Sequence, residues 1–115
     1  MQSKHGALEG AILTTLWELE SKGMKSNTVK DVFDNIESDK RAYTTIKTVM
    51  DRLYSKNILI REKKGRKFLY RTAFSNYEVV VNSLNDISEK YCSGNLNKLF
   101  SILENMQNSR QLVGA

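Results

Sequence analysis

Between residues 41 and 52 the chain sets small hydroxyls beside cations: Arg41, Tyr43, Thr44, Thr45, Lys47, Thr48 and Arg52. Further on, Lys63, Lys64, Arg66 and Lys67 cluster around Gly65. Hydroxyls, Lys and Arg on one surface are suited to hydrogen bonding at base edges and to charge neutralisation at phosphates. Residues 40–71 carry eleven basic and two acidic side chains, a local charge of +9, whereas 76–115 carry three basic and four acidic ones. The net +5 is therefore concentrated in one stretch. A concentrated basic patch points to a polyanion, because each neutralised phosphate releases condensed counterions; an ordinary solvated surface is the alternative.

Other chemistries fare worse. His5 is the single histidine, in an unpatterned stretch with one acid nearby. Gly6, Gly10 and Gly23 lack the spacing of a phosphate cradle. Asp31, Asp34 and Glu37 stand at i, i+3 and i+6, a pattern that reads as a solvated helix face before it reads as a metal site. Cys92, the one cysteine, forms no internal disulfide and builds no thiolate cluster alone; it reads as a small buried filler, with a redox thiol or an intersubunit bridge as alternatives. No enzyme, metal or cofactor is expected. No apolar run approaches the roughly 18 residues of a membrane span. The opening Met1-Gln2-Ser3-Lys4-His5-Gly6 has no long apolar segment of a secretion signal, so a cytoplasmic, membrane-free protein is expected.

These residues need elements to hold them. Leu8, Ala11, Ile12, Thr15, Leu16 and Leu19 recur at helical spacing, widened by Leu13 and Trp17, and predict a helix over about 7–22 stopped by Gly23. Ser26-Asn27-Thr28 offers N-cap oxygens for a second helix over about 28–37, with Val29, Val32, Phe33 and Ile36 as its stripe. Ser38-Asp39-Lys40-Arg41 is a polar connector. A third helix fits 42–57: Ile46, Val49, Met50 and Leu53 form its apolar side, and Thr44, Lys47, Thr48, Asp51, Arg52 and Ser55 the opposite one. Two β-rich runs, 58–62 and 68–72, flank a basic turn whose tip would project Lys63, Lys64, Arg66 and Lys67; a merely solubilising loop is the alternative. Two amphipathic helices follow, 76–91 and from Leu96 to Met106, separated by Ser93-Gly94-Asn95, with a patternless tail after Asn108. Such a pair buries its own stripe poorly. Either it folds back on the first domain or it meets a second copy. The second reading is preferred, since a two-fold dimer presents two reading heads to a palindrome.

The order helix, helix, basic helix, basic hairpin is that of a winged helix-turn-helix. The fold class expected is mainly α with a small β hairpin, organised as a winged-helix DNA-binding domain over 1–74 and a C-terminal helical dimerisation region over 75–115. The run Tyr43-Thr44-Thr45-Ile46-Lys47-Thr48-Val49-Met50-Asp51-Arg52-Leu53 with Lys56-Asn57-Ile58-Leu59 resembles the signature of the penicillinase-repressor family. So does the hairpin Gly65-Arg66-Lys67-Phe68-Leu69-Tyr70, and Leu8-Glu9 with Leu16-Trp17 is similar to that family's first helix. The likeness is strong over 7–72 and continues more weakly over 73–106.

The resemblance implies a sequence-specific transcriptional repressor. Thr44, Thr45 and Thr48 would face the groove, and Lys47 would add a base-edge or phosphate contact. Arg52, the wing cations, and Lys40 with Arg41 would hold phosphates. A homodimer through Val80, Leu84, Ile87, Tyr91, Leu96, Leu99, Phe100 and Leu103 would bind an inverted-repeat operator in double-stranded DNA and block transcription. Some members are induced by a protease that cuts an Asn-Phe bond; here Asn97-Lys98-Leu99-Phe100-Ser101-Ile102 contains no such pair, which speaks against that same cut and leaves the inducing protease unidentified. Copper-responsive members use paired cysteines, which Cys92 alone does not supply. The rival readings are a winged-helix module for protein or RNA without operator binding, and an activator or architectural DNA binder. A protein-binding head would expose apolar residues on the third helix, where only Tyr43 qualifies.

Overall fold

A computed structural model describes residues 6–38 and 40–112; His5 and Asp39 lie outside the described residues. The chain divides into two compact units with the boundary after Asn76. The first contains α1 (Gly6–Ser21), α2 (Val29–Asn35), α3 (Tyr43–Ser55), β1 (Leu59–Lys64) and β2 (Lys67–Thr72). The second is built from α4 (Asn76–Tyr91) and α5 (Leu96–Leu112). The fold is mainly helical with one antiparallel hairpin, the winged-helix class that the sequence order predicts.

One cluster makes the core of the first unit. Leu8, Ile12 and Leu16 of α1 meet Val32 of α2, the four predicted residues Ile46, Val49, Met50 and Leu53 of α3, and Leu59 and Tyr70 of the hairpin. Burying an aliphatic side chain of this size is worth roughly 1.5–3 kcal/mol. That gain fixes the roll of α3: with its apolar stripe inward, its threonines and cations must face out.

The ends of the helices are set by local hydrogen bonds. Gly23 adopts φ +100°, and Gly23 N–H and Met24 N–H donate to Glu20 O and Leu19 O at 3.0 Å each, closing α1 in a Schellman motif. Thr28 caps α2: its hydroxyl accepts from Asp31 N–H while Asp31 accepts from Thr28 N–H, at 3.0 and 2.9 Å. The second helix is shorter than the predicted 28–37. Ile36 turns extended (ψ 129°) and buries its side chain, which leaves Glu37 off the helix and breaks the proposed acidic face. Asn57, at φ +66°, ends α3 as Gly23 ends α1, with Asn57 N–H to Tyr54 O at 3.0 Å and Ile58 N–H to Leu53 O at 2.9 Å.

The hairpin pairs Arg61 with Tyr70, Lys63 with Phe68 and Lys64 with Lys67. Only Gly65 and Arg66 are left for the turn. Gly65 has φ +65° and Arg66 does not have a positive φ, which fits a two-residue II′ turn. The sequence placed Lys63, Lys64 and Lys67 in that turn as well; the structure places them on the strands. The primed turn matches the twist of the strands, so pairing continues to the last residue before it. Asn27 adds a third short edge, exchanging backbone hydrogen bonds of 2.8 and 2.7 Å with Tyr70.

In the second unit, Ser93 (φ +52°) and Gly94 (φ +73°) make the break between helices. The helix after it runs on to Leu112. The tail after Asn108, read from sequence as patternless, is thus helical in part: Arg110, Gln111 and Leu112 are good helix formers whatever their stripe.

Candidate nucleic-acid interface

Because α3 turns its apolar side inward, Thr44, Lys47 and Thr48 are exposed, with Thr45 and Arg52 half-buried at the edges of the same polar arc. Thr48 Oγ1 donates to Thr44 O at 2.9 Å. With its proton spent on the helix, this hydroxyl presents lone pairs and a methyl outward, able to accept a hydrogen bond or to touch a thymine methyl. Lys47 Nζ lies 3.3 Å from Asp51 Oδ2, an exposed i, i+4 pair that is easily exchanged for another anion. Tyr43 is partly exposed and sets its ring edge-on to Phe33, centroids 5.8 Å apart.

Two cations differ from expectation. Lys40 was expected to hold phosphate, but its Nζ donates to Phe33 O at 2.8 Å and sits 4.2 Å from the Phe33 ring centre. It satisfies a carbonyl near the end of α2, where cations are favoured. Arg41 is exposed and already engaged in interactions of its own. Arg61, counted in the basic stretch, is the other departure. It is not displayed at the surface; its side chain is 22% exposed.

Register divides the wing cations between the two faces of the hairpin. Lys63 shares a face with Arg61, Phe68 and Tyr70, while Lys64 and Lys67 stand directly opposite each other on the other face. Like charges in that position oppose pairing. Lys63, Lys64, Arg66 and Lys67 are all exposed.

The helix and the wing meet in one groove. Tyr43 and Lys47 from α3, Thr28 and Lys30 from the start of α2, and Arg66 and Lys67 from the wing line a depression of about 460 Å³. Lys30 was not picked out from sequence; a lone lysine two residues after a cap carries no signal until the fold sets it beside the wing.

Phe68 and Tyr70, which also line this groove, belong to a hub that has no signal in charge counting. The guanidinium carbon of Arg61 is 4.0 Å from the ring centres of both Tyr54 and Phe68. Its Nη1 donates to Asp51 Oδ1 at 3.0 Å and to the Tyr70 hydroxyl at 3.3 Å, and that hydroxyl donates to the same Asp51 oxygen at 3.0 Å. The Tyr70 phenol is pushed above its ordinary 10.0, chiefly by burial and further by Asp51, with Arg61 opposing. Alternation along β1, which sets Leu59, Arg61 and Lys63 on one face, is the signal that could have revealed Arg61 as inward. A second anchor ties the base of the wing to α1: the Glu20 carboxylate accepts from Thr72 N–H at 2.8 Å and from its hydroxyl at 2.6 Å.

In the second unit, Val80, Ile87, Tyr91, Leu96, Phe100 and Leu103 are exposed and Leu84 half-buried. Leu99 departs from the rest of the expected interface set, being 7% exposed within the single chain. Cys92 is buried and free, as expected of a filler. Among the described residues, no group of His, Cys, Asp or Glu is arranged to hold a metal ion, and no helix is long and apolar enough to cross a membrane.

A comparison with protein-family models matches residues 5–112 to the model described as penicillinase repressor, nearly the whole chain. No curated protein matches the sequence.

Proposed function

The chain belongs to the penicillinase-repressor family, a family of DNA-binding transcriptional repressors, and from that membership we propose that it acts as a cytoplasmic homodimer on an inverted-repeat operator. In this reading α3 enters the major groove with Thr44, Lys47 and Thr48 at base edges and Thr45 and Tyr43 beside them. Arg41, Arg52, Lys63, Lys64, Arg66 and Lys67 hold the backbone on either side. The opposed pair Lys64 and Lys67, unfavourable in the free hairpin, is relieved when phosphates neutralise both. Repression is steric: a dimer seated over a promoter excludes the polymerase.

The observation that carries this reading is the shared groove, in which Tyr43 and Lys47 of the helix face Arg66 and Lys67 of the wing. A base-reading surface and a phosphate-holding one then address the same stretch of duplex. Phosphate contacts supply affinity that falls steeply with salt, and each good base contact supplies about 1–3 kcal/mol of discrimination. The test is selection of bound duplexes from a random library, followed by titrations at two salt concentrations. An inverted repeat should emerge. Thr45→Ala or Thr48→Ala should relax base preference, while Arg66→Ala should weaken binding to all sequences alike and lower the salt slope by about one per half-site. Equal loss of discrimination from the threonine and arginine changes would contradict the assignment.

A further inference from the structure

We infer that Arg61 is a positioning residue, not a phosphate ligand: with Asp51 it locks the wing to the recognition helix, so that the two bind DNA as one preformed surface. The inference rests on the duplex-binding reading and names the device that makes it work.

The geometry argues against a phosphate role. A phosphate-binding arginine keeps its fork free for solvent and ligand. Here the guanidinium is packed against two rings, Tyr54 from α3 and Phe68 from β2, each centred 4.0 Å from its carbon. One edge is committed to Asp51 on α3 and to Tyr70 on β2. The side chain springs from β1, so a single cation joins the helix to both strands of the wing. An Arg can do this where Lys cannot, because a planar fork stacks and donates in its plane at once.

Asp51 divides its two oxygens. Oδ1 takes Arg61 and the Tyr70 hydroxyl, and Oδ2 holds Lys47. The same carboxylate that fixes the wing thus also keeps a loose, exposed ion pair with Lys47 until another anion replaces it. An acid in the middle of a DNA-facing helix would ordinarily weaken binding by repelling phosphates. Its presence there is explained if its work is to organise cations. Asp51 and Arg61 should therefore act as a unit: once one is gone, removing the other costs little more.

The test uses the full chain with Arg61→Met, which keeps an apolar stem against the rings, Asp51→Asn, and the double variant. Without DNA, proton spectra should show the Arg61 side-chain protons shifted upfield by the two rings. Denaturant titrations should find the two single changes non-additive. On a duplex selected from a random library and on a scrambled duplex of the same length, either single change should cut the preference for the selected site about tenfold. The double change should cut it no further. The Arg61 ring shift should persist in the complex. If Arg61 were a phosphate ligand, Asp51→Asn would release it and strengthen binding, the two changes would add, and the ring shift would vanish on the duplex; any of these overturns the inference. Should the wild-type chain favour no duplex, the DNA reading fails, while the clamp is still judged by the ring shift and by the unfolding cycle.

Discussion

Tyr70 does two jobs with one side chain: its ring fills the core and its hydroxyl closes the Asp51–Arg61 hub. The folded state favours the neutral phenol, chiefly because burial opposes the phenolate, with Asp51 acting in the same direction and Arg61 against it. A folded pKa above the unfolded 10.0 means that this contribution is complete below pH 10 and is lost as pH rises through the higher folded value. The five tyrosines of the chain should therefore not ionise together. Absorbance near 295 nm should show a late-titrating phenol that disappears in Tyr70→Phe, and stability should decline above pH 10 in the wild type more than in that variant. A single common titration would contradict the buried hydroxyl. At neutral pH, Tyr70→Phe should cost about 2 kcal/mol by urea denaturation, since its hydroxyl hydrogen-bonds two charged groups. Very little of this was legible from residues. Arg61 looked like one more cation in a basic run, because charge counting is blind to which face of a strand a side chain occupies. Asp51 stood among the polar residues of α3, where helical spacing gives no sign of a partner on a strand ten residues away.

Elements were more legible than residues, and the reason is visible in α3. Its four apolar positions repeat at helical spacing and all four are buried, so one pattern gave the helix, its roll and its outward face. The ends were harder. The spacing carries α2 past Asn35, yet Ile36 is extended and buried in the core just beyond the helix end. Tertiary packing of that kind has no local signature. The turn was over-drawn because Lys63, Lys64 and Lys67 have weak strand preference, while pairing across a II′ turn outweighs it. Asn57 gives a direct check on how α3 ends. It holds a left-handed conformation that most residues pay to adopt. Asn57→Ala should lose about 1 kcal/mol, whereas Asn57→Gly should be neutral or slightly stabilising. Thr28→Ala, which removes half of the capping box on α2, should likewise cost about 1 kcal/mol. Thermal or urea denaturation of the three variants would separate these backbone effects from packing, since neither side chain belongs to the core cluster.

At the scale of the whole molecule the two units are unequal in what they bury. The first has a contiguous core drawn from five elements. In the second, among the side chains described after Asn76, only Ser88, Cys92 and Leu99 are buried. Tyr91 is 75% and Phe100 60% exposed, and Leu96 56%. Two helices with so little interior are marginal in water. A partner that covers this surface would supply the missing core, and a second copy is the partner that a palindromic operator calls for. Stability of the second unit should then depend on protein concentration, because association favours the folded state by mass action. Phe100→Glu provides the decisive variant. In a monomer, a side chain this exposed should tolerate glutamate at little cost. In a dimer, the change buries a charge against apolar neighbours, so sedimentation should show the mass halved. Thermal unfolding should lose its concentration dependence, and binding to a two-half-site duplex should fall to that of a single half-site. A wild-type chain that sediments as a monomer, with Phe100→Glu changing neither mass nor operator affinity, would remove the dimer from the proposal, leaving each winged helix to bind DNA alone.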